Sequence, residues 1–400
     1  MDTFVARQPI LNRHRRLFGY ELLFRDGISN SFPVMDGGVA TSNLLSSSFF
    51  TVGIDHITNG HRAFINFTEE MLIKGIPSMF PASAIVVEIL EDVAPTADVI
   101  WACQNLVNKG YMLALDDFVY DQKYVPLLEI AKIVKIDFAQ TSLEQIGEMV
   151  EIAKKYQCKL LAEKIETYEE YELANTMGFV YFQGYFFARP EVLKNKEISS
   201  SQMVYMQLIL EINRAEFKVD NLENLIKQDV AISYKLIKYL NSAYYSRLQP
   251  IASLRQAIAF LGEQGTRLFV SVIATSKLSE NKPDEIIRIS CIRARFLELL
   301  GAETKQEPGV LFLLGLFSLL DAMLDANMDY LMQHLPVTPE IAQALVHQTG
   351  PLYPYLYLIQ MYEVGKWSEL DAAIQGLHLD SSKILASYLD AVRWAGFFIG

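Results

Sequence analysis

Short runs of apolar and β-branched residues recur through the first half of the chain: GYELLF at 19–24, AFINF at 63–67, AIVVEIL at 84–90, YMLALDD at 111–117, KIVKID at 132–137, KLLAEKI at 159–165 and VYFQGYFF at 180–187. Runs this short, with so few polar interruptions, read as strands buried on both faces. Between most of them lie amphipathic stretches, Ala97 to Lys109, Ser142 to Tyr156 and Tyr168 to Met177, with apolar residues at helical spacing. Strands alternating with helices in this way predict βαβ units and a parallel sheet. A further strand at Thr3 to Ala6, opening a hairpin into 17–24, brings the count to about eight. Eight favours a closed TIM-like (β/α) barrel over an open sheet. No G-x-G-x-x-G follows any of the runs, which weighs against a Rossmann-type dinucleotide site.

The strand pattern stops at Arg189-Pro190, and KNKEISSS at 194–201 is polar and without period. From Met203 on, every periodic segment is helical: Ile232 to Tyr239, Ser253 to Leu261, Gln264 to Leu278, Asp284 to Leu300 and Ser381 to Phe397. Asp220 and Ser253 suit N-caps, Gly262 and Gly301 suit helix ends, and Pro339 suits a first turn. The fold class is therefore α/β plus all-α: a barrel domain over 1–193, a linker at 194–204 and a helical domain over 205–400.

Composition narrows the function. The chain has 400 residues, 51% of them hydrophobic, and a net charge of −12. Before residue 205 there are 26 acids against 18 bases, and after it 21 against 17, so neither half has the basic excess that a DNA- or RNA-binding surface needs. Cys103, Cys158 and Cys291 are isolated, as in a reducing compartment. The N-terminus has no apolar stretch of signal-peptide length, and the longest apolar run, Val310 to Leu320, is eleven residues, too short to span a bilayer. The expectation is a cytoplasmic protein without a membrane segment.

The chemistry lies at the strand ends. Glu21, Asn66, Glu88, Asp116 with Asp117, Asp137, Glu163 and Gln183 each close a predicted strand, and after the first step they follow at 20 to 28 residues, one strand-plus-helix unit apart. All parallel strands of a barrel end on one face, so these side chains are expected in one pocket. Six carboxylates together need compensation, and an oxygen-only donor set suits Mg²⁺ or Mn²⁺. Lys135, two residues before Asp137 on the same strand face, and Arg25 add cations for a phosphate. His14, His56 and His61 have no partner spacing and are expected at the surface.

These residues resemble the EAL domain of cyclic di-GMP phosphodiesterases. GYELLFR is similar to E-A-L-L-R, INFTEEML to the N-V-S segment, VVEILED to E-L-T-E and LALDDF to A-L-D-D-F-G; VKID, LAEKIET and QGYFFARP follow in the order of K-I-D, A-E-G-V-E-T and Q-G-Y. The resemblance runs from about Gln8 to Pro190. It implies metal ligation by Glu21, Asn66, Glu88, Asp116, Asp117 and Asp137, with Lys135 and Glu163 beside the attacking water. It also implies ligand contacts from Arg25 and Gln183, a loop anchored by Glu91, and hydrolysis of cyclic di-GMP to the linear dinucleotide. The sequence departs from the family after Asp117-Phe118, where a glycine-rich loop is replaced by Val119-Tyr120-Asp121-Gln122-Lys123-Tyr124. Glycine permits backbone that Val and Tyr resist, so slow hydrolysis is expected.

Residues from about 205 on resemble the HDOD domain, through YKLIKYLNSAYYSRLQPIASLRQAIAFLG. His334, His347 and His378 are the histidines of that half and none precedes an aspartate, so it lacks the His-Asp pair of a metal-dependent phosphohydrolase. A regulatory or interaction module contacting a protein partner, through Tyr244-Tyr245 or the 352–362 stretch, is expected; a homodimer is compatible with this. The competing expectation is a scaffold whose pocket is a relic.

Overall fold

The computed structural model describes residues 4–25, 54–190 and 251–396 except 252, 253, 280, 281 and 336, together with Tyr205, Leu208, Ile209, Ile212 and Leu240. The linker expected at 194–204, the helix at Ile232 to Tyr239, the caps Asp220 and Ser253 and the Tyr244-Tyr245 pair lie outside the described residues. The chain forms two compact units, Met1–Phe187 with Met361–Trp367 and Ala188–Gln360 with Ser368–Gly400.

The first unit holds a closed barrel of eight strands in chain order: β1 Val5–Asn12, β2 Leu17–Phe24, β3 Arg62–Phe67, β4 Ile85–Ile89, β5 Met112–Leu115, β6 Ile133–Asp137, β7 Lys159–Glu163 and β8 Tyr181–Gln183. β1 is antiparallel to both β2 and β8, while the remaining neighbours pair in parallel. The first strand is longer than the stretch 3–6 expected for it. Its residues include the polar Arg7 and Gln8, and Pro9 sits in its middle, so the apolar pattern that marks the other strands is missing there. Two other boundaries also move. β5 stops at Leu115, leaving Asp116 and Asp117 in the following turn, and the run at 180–187 is strand only to Gln183 before a 3₁₀ turn at Tyr185–Ala188.

Outside the strands lie α1 Ile54–Thr58, α2 Glu69–Ile73, α3 Ala97–Asn108, α4 Val125–Leu128, α5 Leu143–Tyr156 and α6 Tyr168–Met177. α5 and α6 each start with a full capping box, Ser142 with Gln145 and Thr167 with Glu170, which fixes where each helix begins.

The barrel interior is layered by the two-residue period of the strands. Ile10, Phe64, Val86, Ala114, Ile133, Leu161 and Tyr181 form one buried apolar cluster. Two residues further along β3 to β8, in the same order, come Asn66, Glu88, Asp116, Lys135, Glu163 and Gln183. The apolar layer is the floor of the polar one. β2 contributes Gly19 at floor level, where a Cβ would stand 2.6 Å from the Arg62 carbonyl oxygen and 3.2 Å from the Phe64 ring. Glycine thereby lets β2 lie close enough to β3 for Glu21 to join the upper layer.

From residue 254 on the chain is helical: α7 Leu254–Leu278, α8 Asp284–Gly301, α9 Pro308–Phe317, α10 Leu320–Leu324, α11 Met328–His334, α12 Pro339–His347, α13 Tyr353–Glu363, α14 Trp367–Gly376 and α15 Ser381–Ala395. Gly262 interrupts α7 with φ 71° and ψ 178°, Gly301 closes α8, and Pro339 opens α12 behind an N-cap from Thr338. No single helix among the described residues is long and apolar enough to cross a membrane.

Candidate active site

At the C-terminal ends of the strands the polar layer closes around one ammonium group. Lys135 Nζ lies 2.7 Å from Asp116 Oδ1, 2.8 Å from Glu88 Oε1, 2.9 Å from Glu163 Oε1 and 3.3 Å from Glu21 Oε2. The four carboxylates come from four different strand ends, and Lys135 itself has no solvent exposure. Two amides complete the ring: Asn66 donates to Glu21 Oε1 at 3.3 Å, and Gln183 Nε2 donates to Glu21 Oε2 at 2.7 Å and to Gln8 Oε1 at 2.9 Å.

Four carboxylates against one ammonium leave a formal excess of three negative charges in a nearly dry site. Burial pushes the Glu88 carboxyl well above the ordinary range, and repulsion from Glu21 and Asp116 adds to it while Lys135 opposes. Glu163 is raised well above its usual value by burial first, with the charges of Asp116 and Glu21 reinforcing it against Lys135. For Lys135 burial alone lowers the pKa, but Asp116, Glu163, Glu21 and Glu88 together outweigh it, so the net shift is upward and the ammonium stays charged.

The donor set fits a hard divalent cation. It is made of oxygen, and Glu88 Oε2, Glu163 Oε2, Asp117 Oδ1 and Gln183 Oε1 are buried without a hydrogen-bond partner. Among the described residues, however, no three His, Cys, Asp or Glu side chains stand in metal-ligating disposition. The reason is the position of Lys135, on which the carboxylates converge. Of the six residues read as ligands, the structure brings Glu21, Asn66, Glu88 and Asp116 together.

Asp137 and Asp117 stand on a second side. Asp137 Oδ1 accepts from the backbone N–H of Ala139 at 2.8 Å and of Gln140 at 3.1 Å, and Oδ2 pairs with Lys164. Asp117 adopts φ 39°, and burial followed by repulsion from Asp116 raises its carboxyl. Lys164, which pairs with Asp137 here, is a residue that the sequence reading passed over. A signal existed: in the A-E-G-V-E-T segment its place belongs to glycine.

Arg25 leaves β2 with its guanidinium carbon 5.0 Å from the centre of the Phe4 ring. Glu91 meets the 119–124 loop through its backbone, accepting a 3.3 Å hydrogen bond from the Tyr124 hydroxyl. In that loop Asp121 caps a 3₁₀ turn at Gln122–Tyr124 by accepting from the Lys123 N–H, and Val119 is 68% exposed. Loop and strand ends enclose a cavity of about 380 Å³, with Glu91, Asp116, Asp117, Phe118, Tyr120 and Tyr124 among its walls.

Comparison with known proteins adds to this picture. The sequence pattern of the EAL domain matches residues 46–190 and that of the HDOD domain matches residues 198–324. The EAL match begins after β2, so Glu21 and Arg25 lie outside it, and Glu21 enters the site through its contacts with Lys135, Asn66 and Gln183. A cyclic di-GMP phosphodiesterase of Vibrio cholerae, CdgJ, is 39% identical over 398 residues, covering 98% of this chain and 92% of that protein. The Bacillus subtilis protein YuxH, described as uncharacterised, is 36% identical over 406 residues and is covered to 98% on both sides. Among solved structures, the Klebsiella pneumoniae BlrP1 complex with calcium and cyclic di-GMP is 19% identical, over 48% of this chain and 56% of that one, with a TM-score of 0.38.

Proposed function

The chain belongs to the family in which an EAL domain is followed by an HDOD domain, and we propose that its barrel binds a divalent cation and cyclic di-GMP and hydrolyses one phosphodiester bond slowly. The product is the linear dinucleotide, and the setting is the cytoplasm. The observation that carries this reading is the Lys135–Glu163 pair, 2.9 Å apart, beside the buried and unpartnered oxygens Glu88 Oε2, Glu163 Oε2 and Asp117 Oδ1. The relationship to CdgJ supports the choice of substrate.

Glu21, Asn66, Glu88 and Asp116 would hold Mg²⁺ or Mn²⁺, with Asp117 and Asp137 at its edge. Such an ion neutralises phosphate charge and makes a bound water more acidic. Glu163, whose carboxyl is raised by burial, then accepts the proton of the attacking water. Lys135 fixes the orientation of Glu163 and offers positive charge to the phosphate as charge builds on it. Arg25 and Gln183 contact the ligand, and Glu91 steadies the loop that borders it.

In the helical unit Asp321 lies on α10 beside Arg293, and no histidine precedes an aspartate. That unit is proposed to be a non-catalytic regulatory or interaction module for a protein partner. A second reading, a nucleotide-binding module without turnover, draws on the loop at 119–124, where Val119 and Tyr120 stand in place of glycine-rich sequence. Calorimetry and chromatography on one preparation test both. Binding with Mn²⁺ and slow linear product are expected; binding without product selects the binding module, and no binding with either metal removes the nucleotide from the account and leaves the scaffold with a relic pocket. Glu163→Gln is expected to abolish product while changing affinity little.

A further inference from the structure

Lys164 follows Glu163 directly off β7, in left-handed backbone with φ 55°. A residue with a Cβ adopts that region at a cost, and such strain persists where the surroundings hold it in place. Here the flanking backbone is pinned, with the Phe138 N–H donating to the Glu163 carbonyl and the Ile165 N–H to the Gln183 carbonyl, and the ammonium of Lys164 pairs with Asp137 Oδ2. With Oδ1 already taken by two backbone N–H groups, both oxygens of Asp137 are satisfied from within the chain.

The two sides of the site therefore differ in charge. Around Lys135 four carboxylates face one ammonium, an excess of three negative charges. On the other side Asp117 and Asp137 face Lys164, an excess of one. A divalent ion is strongly favoured on the first side and weakly on the second. Lys164 remains charged: burial alone lowers its pKa, but its bond to Asp137 and the charges of Asp117, Asp137 and Glu163 outweigh that.

We propose that the Lys164 ammonium fills the place a second divalent cation would take beside Asp117 and Asp137, so that the barrel takes a single ion, on the Glu21–Glu88–Asp116 side. The inference rests on the metal-binding reading above. It supplies a cause for slow turnover that is separate from the loop, because an ammonium neutralises phosphate charge but does not make a shared water acidic as a second metal ion does. The Lys164 side chain is 49% exposed, so the pair is screened and can open. The effect is accordingly a second site weakened by on the order of ten- to a hundredfold.

Mn²⁺ titration of the full chain by calorimetry, with electron paramagnetic resonance of the loaded protein, tests this. The parent is expected to take one Mn²⁺ with an uncoupled spectrum. Lys164→Gly, which relieves the backbone, and Lys164→Met, which keeps the strain and removes only the charge, are each expected to take two and show an exchange-coupled pair. Lys164→Arg is expected to keep one. Two ions in the parent, or one in both neutral variants, overturns the inference and leaves the metal reading standing. No ion in any protein overturns the metal reading and this inference with it. Circular dichroism of each variant checks that it is folded.

Discussion

Lys135 and Glu88 form an ion pair, Nζ to Oε1 2.8 Å, in which neither side chain has any solvent exposure. The pair sits directly above the apolar floor, out of contact with bulk solvent. Its function and its contribution to stability are therefore tied together: removing one partner leaves the other buried and unmatched.

Lys135→Met is accordingly expected to destabilise the metal-free protein by about 3–5 kcal/mol at pH 7.5. The sign with pH follows from Glu88 and Glu163, whose carboxyls are raised well above the ordinary 4.5. As pH falls these groups take up protons sooner than ordinary carboxyls do, so at pH 5 the unmatched charge is smaller than at pH 7.5 and the loss should shrink. Urea denaturation in chelator at the two pH values measures it. Equal losses at both would show that the ammonium does not balance those carboxylates.

The polar layer was readable in the sequence because each of its members closes an apolar run, and the two-residue period of a strand then places it above the floor. Glu88, two residues beyond Val86, is the plainest case. β1 was poorly readable, since Pro9 and its polar residues erase the signal of a strand. Nothing in strand periodicity indicates that Lys135 is the point on which the carboxylates converge, for that depends on four strands meeting across the barrel. Lys164 was missed for a different reason: a lysine after a strand end reads as a solvated cation, and its importance comes from a backbone angle and a partner 27 positions away.

Gly184 sets the position of Gln183. It has φ 144°, and a Cβ there would lie 2.1 Å from the Ile165 carbonyl oxygen and 2.5 Å from the Ile165 nitrogen. Backbone cannot yield as a flexible side chain does. Gly184→Ala is expected to cost on the order of 2–4 kcal/mol, and in the fraction that folds to weaken ligand binding through a displaced Gln183. Thermal unfolding and calorimetry check the two parts. An unaltered melting temperature would mean that the β7 and β8 ends can separate freely.

Asp321 gives the helical unit a pH dependence of its own. Burial raises its carboxyl to about 6 from 3.8, against the Ala322 N–H that donates to it and the Arg293 charge nearby. A carboxyl raised on folding adds stability below its unfolded pKa and loses it as pH rises through the folded value. The protein should therefore lose up to about 3 kcal/mol between pH 4 and pH 7 from this group. Asp321→Asn, which keeps the oxygen that accepts from Ala322, should flatten that slope and be the more stable form at pH 7. Urea unfolding of both proteins at pH 4.5, 5.5 and 7 decides it; parallel slopes would assign the dependence to other groups.

In the proposed reaction the loop after Asp117 is where binding and turnover would separate. Asp116 and Asp117 line the same cavity as Phe118, Tyr120 and Tyr124, so the loop's shape sets how a ligand phosphate sits against the carboxylates. Val119 and Asp121 restrict that backbone where the family has glycine, and a displacement of about 1 Å at the reacting atoms can cost on the order of a hundredfold in rate. Val119→Gly, Tyr120→Thr and Asp121→Gly together should raise the rate of linear product formation by about tenfold or more, while affinity changes less, since Lys135, Glu163 and Gln183 are untouched. The gain should also be larger when Lys164→Gly is added, because loop position and a second cation act on the same phosphate. Single-turnover chromatography of the parent, loop, Lys164→Gly and combined proteins separates the contributions. A loop variant that binds as before and turns over no faster would move the cause of slow hydrolysis from the loop to the ammonium of Lys164.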